Sequence, residues 1–86
     1  MPWKSPAEMA AAEAAAAEAE QLCGQLSERM REVLVLMSKG LSAREIGTAL
    51  GISMHTAHEL KQRIFQRLQV HKAVEAAVIA VKAGLV

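Results

Sequence analysis

The feature that most limits how this chain can fold is a helix cap, a glycine and a second cap in close succession between Leu41 and Ser53. Ser42 offers a hydroxyl to the free amides of a helix start, and Glu45 reaches back to the Ser42 amide, the two forming a capping box. The helix so begun ends in Ala49-Leu50-Gly51-Ile52-Ser53, where Gly51 takes positive φ at low cost and Ser53 caps the next helix. The spacing predicts two short helices meeting at a sharp corner.

The second of these helices, expected from Met54 to Leu68, sorts its side chains at helical period into two unlike faces. Ala57, Leu60, Ile64 and Leu68 form an apolar stripe. Opposite them stand His55, His58, Glu59, Gln62 and Gln66, with Lys61, Arg63 and Arg67 along the flanks. A helix that reads the DNA major groove needs this arrangement, because base edges call for donors and acceptors and phosphates call for cations. The helix-turn-helix corner also serves as plain scaffolding, so the pattern alone leaves both uses open.

With 86 residues the chain makes one small domain with a modest core. Much of its hydrophobic content of 52% is alanine, and its aromatic residues are limited to Trp3 and Phe65. The core must therefore come from Leu, Ile, Val and Met, which suits packed helices, and an all-α fold is expected. The formal charge of +1 hides an asymmetry. Residues 1–26 carry one lysine against four glutamates, net −3, and residues 27–86 carry nine Lys and Arg against five glutamates, net +4. The cationic part coincides with the helix-turn-helix and favours phosphate backbones, with an excess small enough that tight binding calls for two copies.

Other chemistries are poorly served. Cys23 is the only cysteine, which excludes an intramolecular disulfide and argues against a thiolate zinc site, so a cytoplasmic setting is expected. Met1 to Pro6 lacks the pattern of a signal peptide, and glutamates interrupt every later apolar run, so no membrane role is expected. His55-Thr56-Ala57-His58-Glu59 does not have the zinc-protease spacing and has no third ligand placed by the sequence, so no metal is expected. There is no nucleophile beside a base and no glycine-rich phosphate loop; neither an enzyme nor a cofactor is expected.

Along the chain, Met1 to Pro6 is expected to be a loose arm ending at a helix start, with Ser5 as cap and Pro6 in the first turn. Ala7 to Cys23 is rich in Ala and Glu, the composition of one helix, solvated over Ala7 to Ala16 and packed from Glu18 to Leu26. Ser27 caps a helix to Ser38 with Met30, Val33, Leu34 and Met37 as its buried stripe, closed by Lys39-Gly40. After the connector Gln69 to Lys72, a last helix runs from Ala73 to Ala83. It is apolar on more than one face. If Val74, Ala77, Val78 and Val81 pack on the domain, then Ala76, Ile79, Ala80 and Ala83 remain for a dimer interface, or for the amino-terminal helix folding back within the chain.

The run LSERMREVLVLMSKGLSAREIGTALGIS, followed by Thr56 and then by LQV and VEAAVIAVKAGLV, resembles the carboxy-terminal DNA-binding domain of LuxR, FixJ and GerE regulators. The similarity covers Leu26 to Val86, about seven-tenths of the chain. Its most specific pieces are Arg31-Glu32-Val33-Leu34, Gly40-Leu41-Ser42, Glu45-Ile46, the ALGIS turn, Thr56 and Val74-Glu75-Ala76. The resemblance implies a four-helix domain whose third helix enters the major groove and whose fourth often forms a twofold dimer. Carried over by position, His58, Glu59 and Gln62 would face the bases, and Thr56, Lys61 and Arg67 would contact the DNA backbone. The chain departs from the family pattern at three places: His58 stands where lysine is usual, Leu60 where histidine is usual, and Met30 where a glutamate usually completes a capping box.

The expected organisation is a flexible arm and Ala-rich helical extension over 1–25, followed by a helix-turn-helix DNA-binding domain over 26–86. The expected function is a stand-alone, dimeric bacterial transcription regulator that binds double-stranded DNA. A competing reading has the same fold, with its acidic amino-terminal helix, docking on a protein partner to inhibit or recruit another regulator. A third, a fragment like the promoter-reading end of a sigma factor, finds no accompanying polymerase-binding regions in the sequence.

Overall fold

Residues 5–86, which the computed structural model describes, form five helices: α1 (Pro6–Gly24), α2 (Glu28–Ser38), α3 (Ala43–Leu50), α4 (Met54–Leu68) and α5 (Ala73–Lys82). There is no strand among the described residues, and the fold is all-α, a four-helix domain formed by α2 to α5 with the Ala/Glu-rich α1 added before it. Of the expected arm Met1 to Pro6, the first four residues, Trp3 included, lie outside the described part.

Serines begin four of the five helices, each accepting a hydrogen bond from the backbone amide three residues on. For Ser5, Ser27 and Ser42 the distance is 3.2 Å, and for Ser53 it is 3.0 Å. Pro6 occupies the first turn of α1, where its missing N–H is not needed. At α2 the residue that would complete a capping box is Met30, and its side chain is buried in the core instead. The start of α5 differs: Lys72 gives no side-chain cap, and Glu75 Oε1 accepts from the His71 amide at 3.4 Å.

The core is aliphatic. Val33 and Leu34 of α2, Ile46 of α3, Ala57 and Ile64 of α4, and Ala76 and Ala80 of α5 are wholly excluded from solvent. Helix α2 packs against α3, α4 and α5, so the expected stripe Met30, Val33, Leu34, Met37 is the centre of the domain.

Helix α5 faces the opposite way from the sequence-based expectation. Ala76 and Ala80 are fully buried, and Ile79 and Ala83 are half-buried against the core, whereas Val74, Val78 and Val81 are 66%, 47% and 61% exposed. The assignment of Ala76, Ile79, Ala80 and Ala83 to a dimer interface is thereby corrected, since two of these side chains are enclosed by the chain's own core. The physical reason is distance. Alanine at the contact lets the α5 backbone approach α2 closely, and a valine there would hold the helices apart.

Helix α1 covers the neighbouring side of α5. Ala15, Glu18, Ala19 and Leu22 meet Ile79 and Lys82 across a small cleft, so the fold-back within the chain is the arrangement found. Packing begins earlier than expected: Ala12, Ala15 and Ala16 are already half-buried, and Ala19 and Cys23 are buried. Burial raises the pKa of the Cys23 thiol above its ordinary value, an effect opposed by the charge of Arg31.

Candidate nucleic-acid interface

The corner between α3 and α4 is built as its caps require. The Ser42 amide donates to Glu45 Oε1 at 2.9 Å while the Glu45 amide donates to Ser42 Oγ at 3.2 Å, a complete capping box. Hydrogen bonding first from the Ser42 backbone, then from its side chain, favours the carboxylate and holds the Glu45 pKa below its ordinary value. Gly51 closes α3 in the left-handed conformation at φ 70°, and the Ile52 amide donates to the Gly47 carbonyl at 2.9 Å.

A second glycine is needed here, one that the cap pattern does not announce. Gly47 is buried inside α3, where a Cβ would stand 2.7 Å from the Ile52 carbonyl oxygen and 3.2 Å from the Met54 nitrogen. The backbone leaving the corner therefore runs directly over Gly47. The available signal was a glycine inside an otherwise helical pattern, where it costs stability relative to alanine and so points to a packing need.

Along α4 the two faces separate as the periodicity predicts. Ala57, Ile64 and Leu68 are buried and Leu60 is half-buried against the core. His55, His58, Glu59, Gln62 and Gln66 are all exposed. The three residues expected to read bases, His58, Glu59 and Gln62, thus stand together on one solvent-facing stripe.

The expected backbone contacts do not form a single cluster. Thr56 is exposed near the start of α4, and its Oγ1 accepts from Ser53 Oγ at 2.9 Å, so the hydroxyl is part of the cap. Arg67 is exposed near the end of the helix, where its Nη1 donates to the Gln25 carbonyl at 3.1 Å and joins α4 to the end of α1. By helical spacing Thr56 and Arg67 share one flank with the exposed Arg63, while Lys61, half-buried, lies on the other. The guanidinium of Arg67 keeps donors beyond the one engaged by Gln25.

Three exposed side chains near the corner are absent from the expected contacts. Arg63 is exposed on the Thr56 flank, and Arg44 is exposed on α3. His55 places Nε2 3.0 Å from Glu59 Oε1, on the middle line of the exposed stripe. Its spacing of four from Glu59, one helical turn, was the legible signal. Among the described residues no three His, Cys, Asp or Glu side chains group as metal ligands, and no helix is long and apolar enough to cross a membrane.

Comparison with known proteins identifies a family and several relatives. The profile of the bacterial regulatory proteins of the luxR family matches residues 24–80. The chain is similar to the response regulator UvrY of Escherichia coli, with 33% identity over 60 residues, covering 70% of this chain and 28% of UvrY; the UvrY of Shigella flexneri matches equally. It is also similar to YhjB of Escherichia coli, named as a putative HTH-type transcriptional regulator, with 39% identity over 54 residues, covering 63% of this chain and 27% of that protein. The chain thus spans under a third of the length of these relatives. No solved structure gives a significant match.

Proposed function

This chain belongs to the luxR family of bacterial regulatory proteins, a family of DNA-binding regulators and not of enzymes, and on that footing we propose that it binds double-stranded DNA by inserting α4 into the major groove. The observation that carries this reading is the exposed stripe His58, Glu59, Gln62 on a helix fixed behind by Ala57, Ile64 and Leu68. In this reading those three side chains contact base edges, Thr56, Arg63 and Arg67 meet one phosphate strand, and Lys61 meets the other. Residues 26–86 form the DNA-binding unit, residues 1–25 are an extension docked on it, and the 86-residue chain suffices for specific binding.

The same reading makes the protein a dimer through the outer face of α5. Val74, Val78 and Val81 form a continuous exposed apolar surface. Glu75 and Lys82 share one flank of that face and sit two turns apart at its opposite ends. When a second copy packs on it antiparallel about a twofold axis, each Glu75 comes opposite the partner copy's lysine, so charge and apolar surface match together. The half-sites then lie about 10 base pairs apart.

The test is selection of bound fragments from genomic DNA by the full chain, followed by titration of the selected site. Replacing both His58 and Gln62 by alanine is expected to lower affinity for that site while leaving nonspecific binding in place. Unchanged binding to the site would remove the base-reading assignment. Failure to bind any DNA at low salt, together with recovery of a stable protein complex, would replace the proposal with the protein-docking alternative.

A further inference from the structure

The reading face of α4 contains one acidic side chain, and a carboxylate facing DNA is unfavourable in most settings. Glu59 repels every phosphate that it approaches, and it gains a base contact only where a cytosine amino group is offered to it. One side chain stands beside it. His55 Nε2 lies 3.0 Å from Glu59 Oε1, a contact one helical turn apart between side chains that are 80% and 52% exposed, and one that is an ion pair when the imidazole is protonated. The contact engages Oε1 and is made without Oε2.

The position of the pair matters as much as its contact. His55 and Glu59 are exposed on the same stripe as Gln62 and Gln66, on the side of α4 away from the buried Ala57, Ile64 and Leu68. His55 lies in the first turn of α4, the part of a groove-bound helix that comes nearest the base edges. A free glutamate side chain samples several rotamers, and tying Oε1 to a side chain one turn earlier selects those that project Oε2 outward along the stripe.

We infer that His55 is a positioning residue for base recognition: it holds the Glu59 carboxylate so that its other oxygen selects cytosine at one position of each half-site. The inference rests on the base-reading role proposed for α4 and adds to it a sequence preference and a residue that sets it. His55 itself need not touch a base.

The experiment is in vitro selection from a randomised DNA library with the full chain, run in parallel for the native protein, H55A, H55Q, E59Q and the double variant H55A/E59Q. Helix content by circular dichroism confirms that each is folded. The native protein is expected to prefer cytosine by about tenfold at one position of each half-site. E59Q should lose that preference, and H55A should weaken it several-fold with the other positions of the site unchanged. H55Q, whose amide can still donate to the carboxylate, should restore part of it. In the E59Q background the further change H55A should leave the base preference as it was. If H55A keeps the native preference in full, or if no position depends on Glu59, the inference is overturned while DNA reading by α4 stands. If the native protein selects no sequence at all, the proposed function falls and the inference falls with it.

Discussion

Helices α4 and α5 both present one face to the core and one to solvent, yet they assign their side chains by opposite rules. On α4 the large aliphatic residues Ile64 and Leu68 are inside and the polar residues are outside. On α5 the smallest apolar residues, Ala76 and Ala80, are inside and the valines are outside. The difference teaches that burial follows the room available between helices as much as the hydrophobicity of the residue. The two helices also start differently: α4 leaves a corner fixed by the Ser42 box and by Ser53, whereas α5 comes after Gln69 at φ 58° and begins at Lys72 without a side-chain cap.

The most damaging way to test that contrast is to empty the inside of α4. Ile64→Ala should lower the free energy of unfolding by about 2–5 kcal/mol, read by urea titration, because a wholly buried side chain leaves a cavity. Overfilling the inside of α5 should come next. Ala80→Leu should cost about 1–3 kcal/mol by the same measurement, and a stability equal to the native value would mean that α5 is not closely seated on α2.

On the outside of α5 the effect should nearly vanish. Val78→Ser should change the unfolding free energy of the monomer by no more than about 0.5 kcal/mol, while shifting sedimentation toward monomer if the valine face joins two copies. The smallest effect belongs to the corner that aims α4. With its pKa lowered in the folded state, Glu45 contributes stability that is present above its unfolded pKa and lost as pH falls through the folded one. Glu45→Gln should therefore lower the melting temperature slightly at neutral pH and flatten the acid limb, the two profiles converging at low pH.

The corner was legible because every signal in it is local. Ser42, Glu45, Gly51 and Ser53 act on amides within a few residues, and a cap means the same thing in any surrounding. The two faces of α4 were legible because they differ in kind. The facing of α5 was not, since both its sides are apolar and the choice between them depends on how near α2 comes. Gly47 was missed for a similar reason, its need being set by the Ile52 carbonyl passing overhead. The bond from Arg67 to the Gln25 carbonyl joins residues 42 apart, and no periodicity reports such a pairing. The contacts assigned to His58, Glu59 and Gln62 came from the resemblance together with the polar stripe, and the structure adds that the three share an exposed face.

The buried sulfur of Cys23 gives the molecule a reporter that needs no engineering. It is the one thiol in the chain, it is 3% exposed, and it sits where the end of α1 meets the core. A thiol reagent can reach it only when that region opens, so the rate of chemical labelling measures the opening equilibrium between α1 and the body of the protein. Comparing that rate with and without DNA would show whether occupying α4, to which α1 is joined through Arg67, makes the amino-terminal helix breathe more slowly.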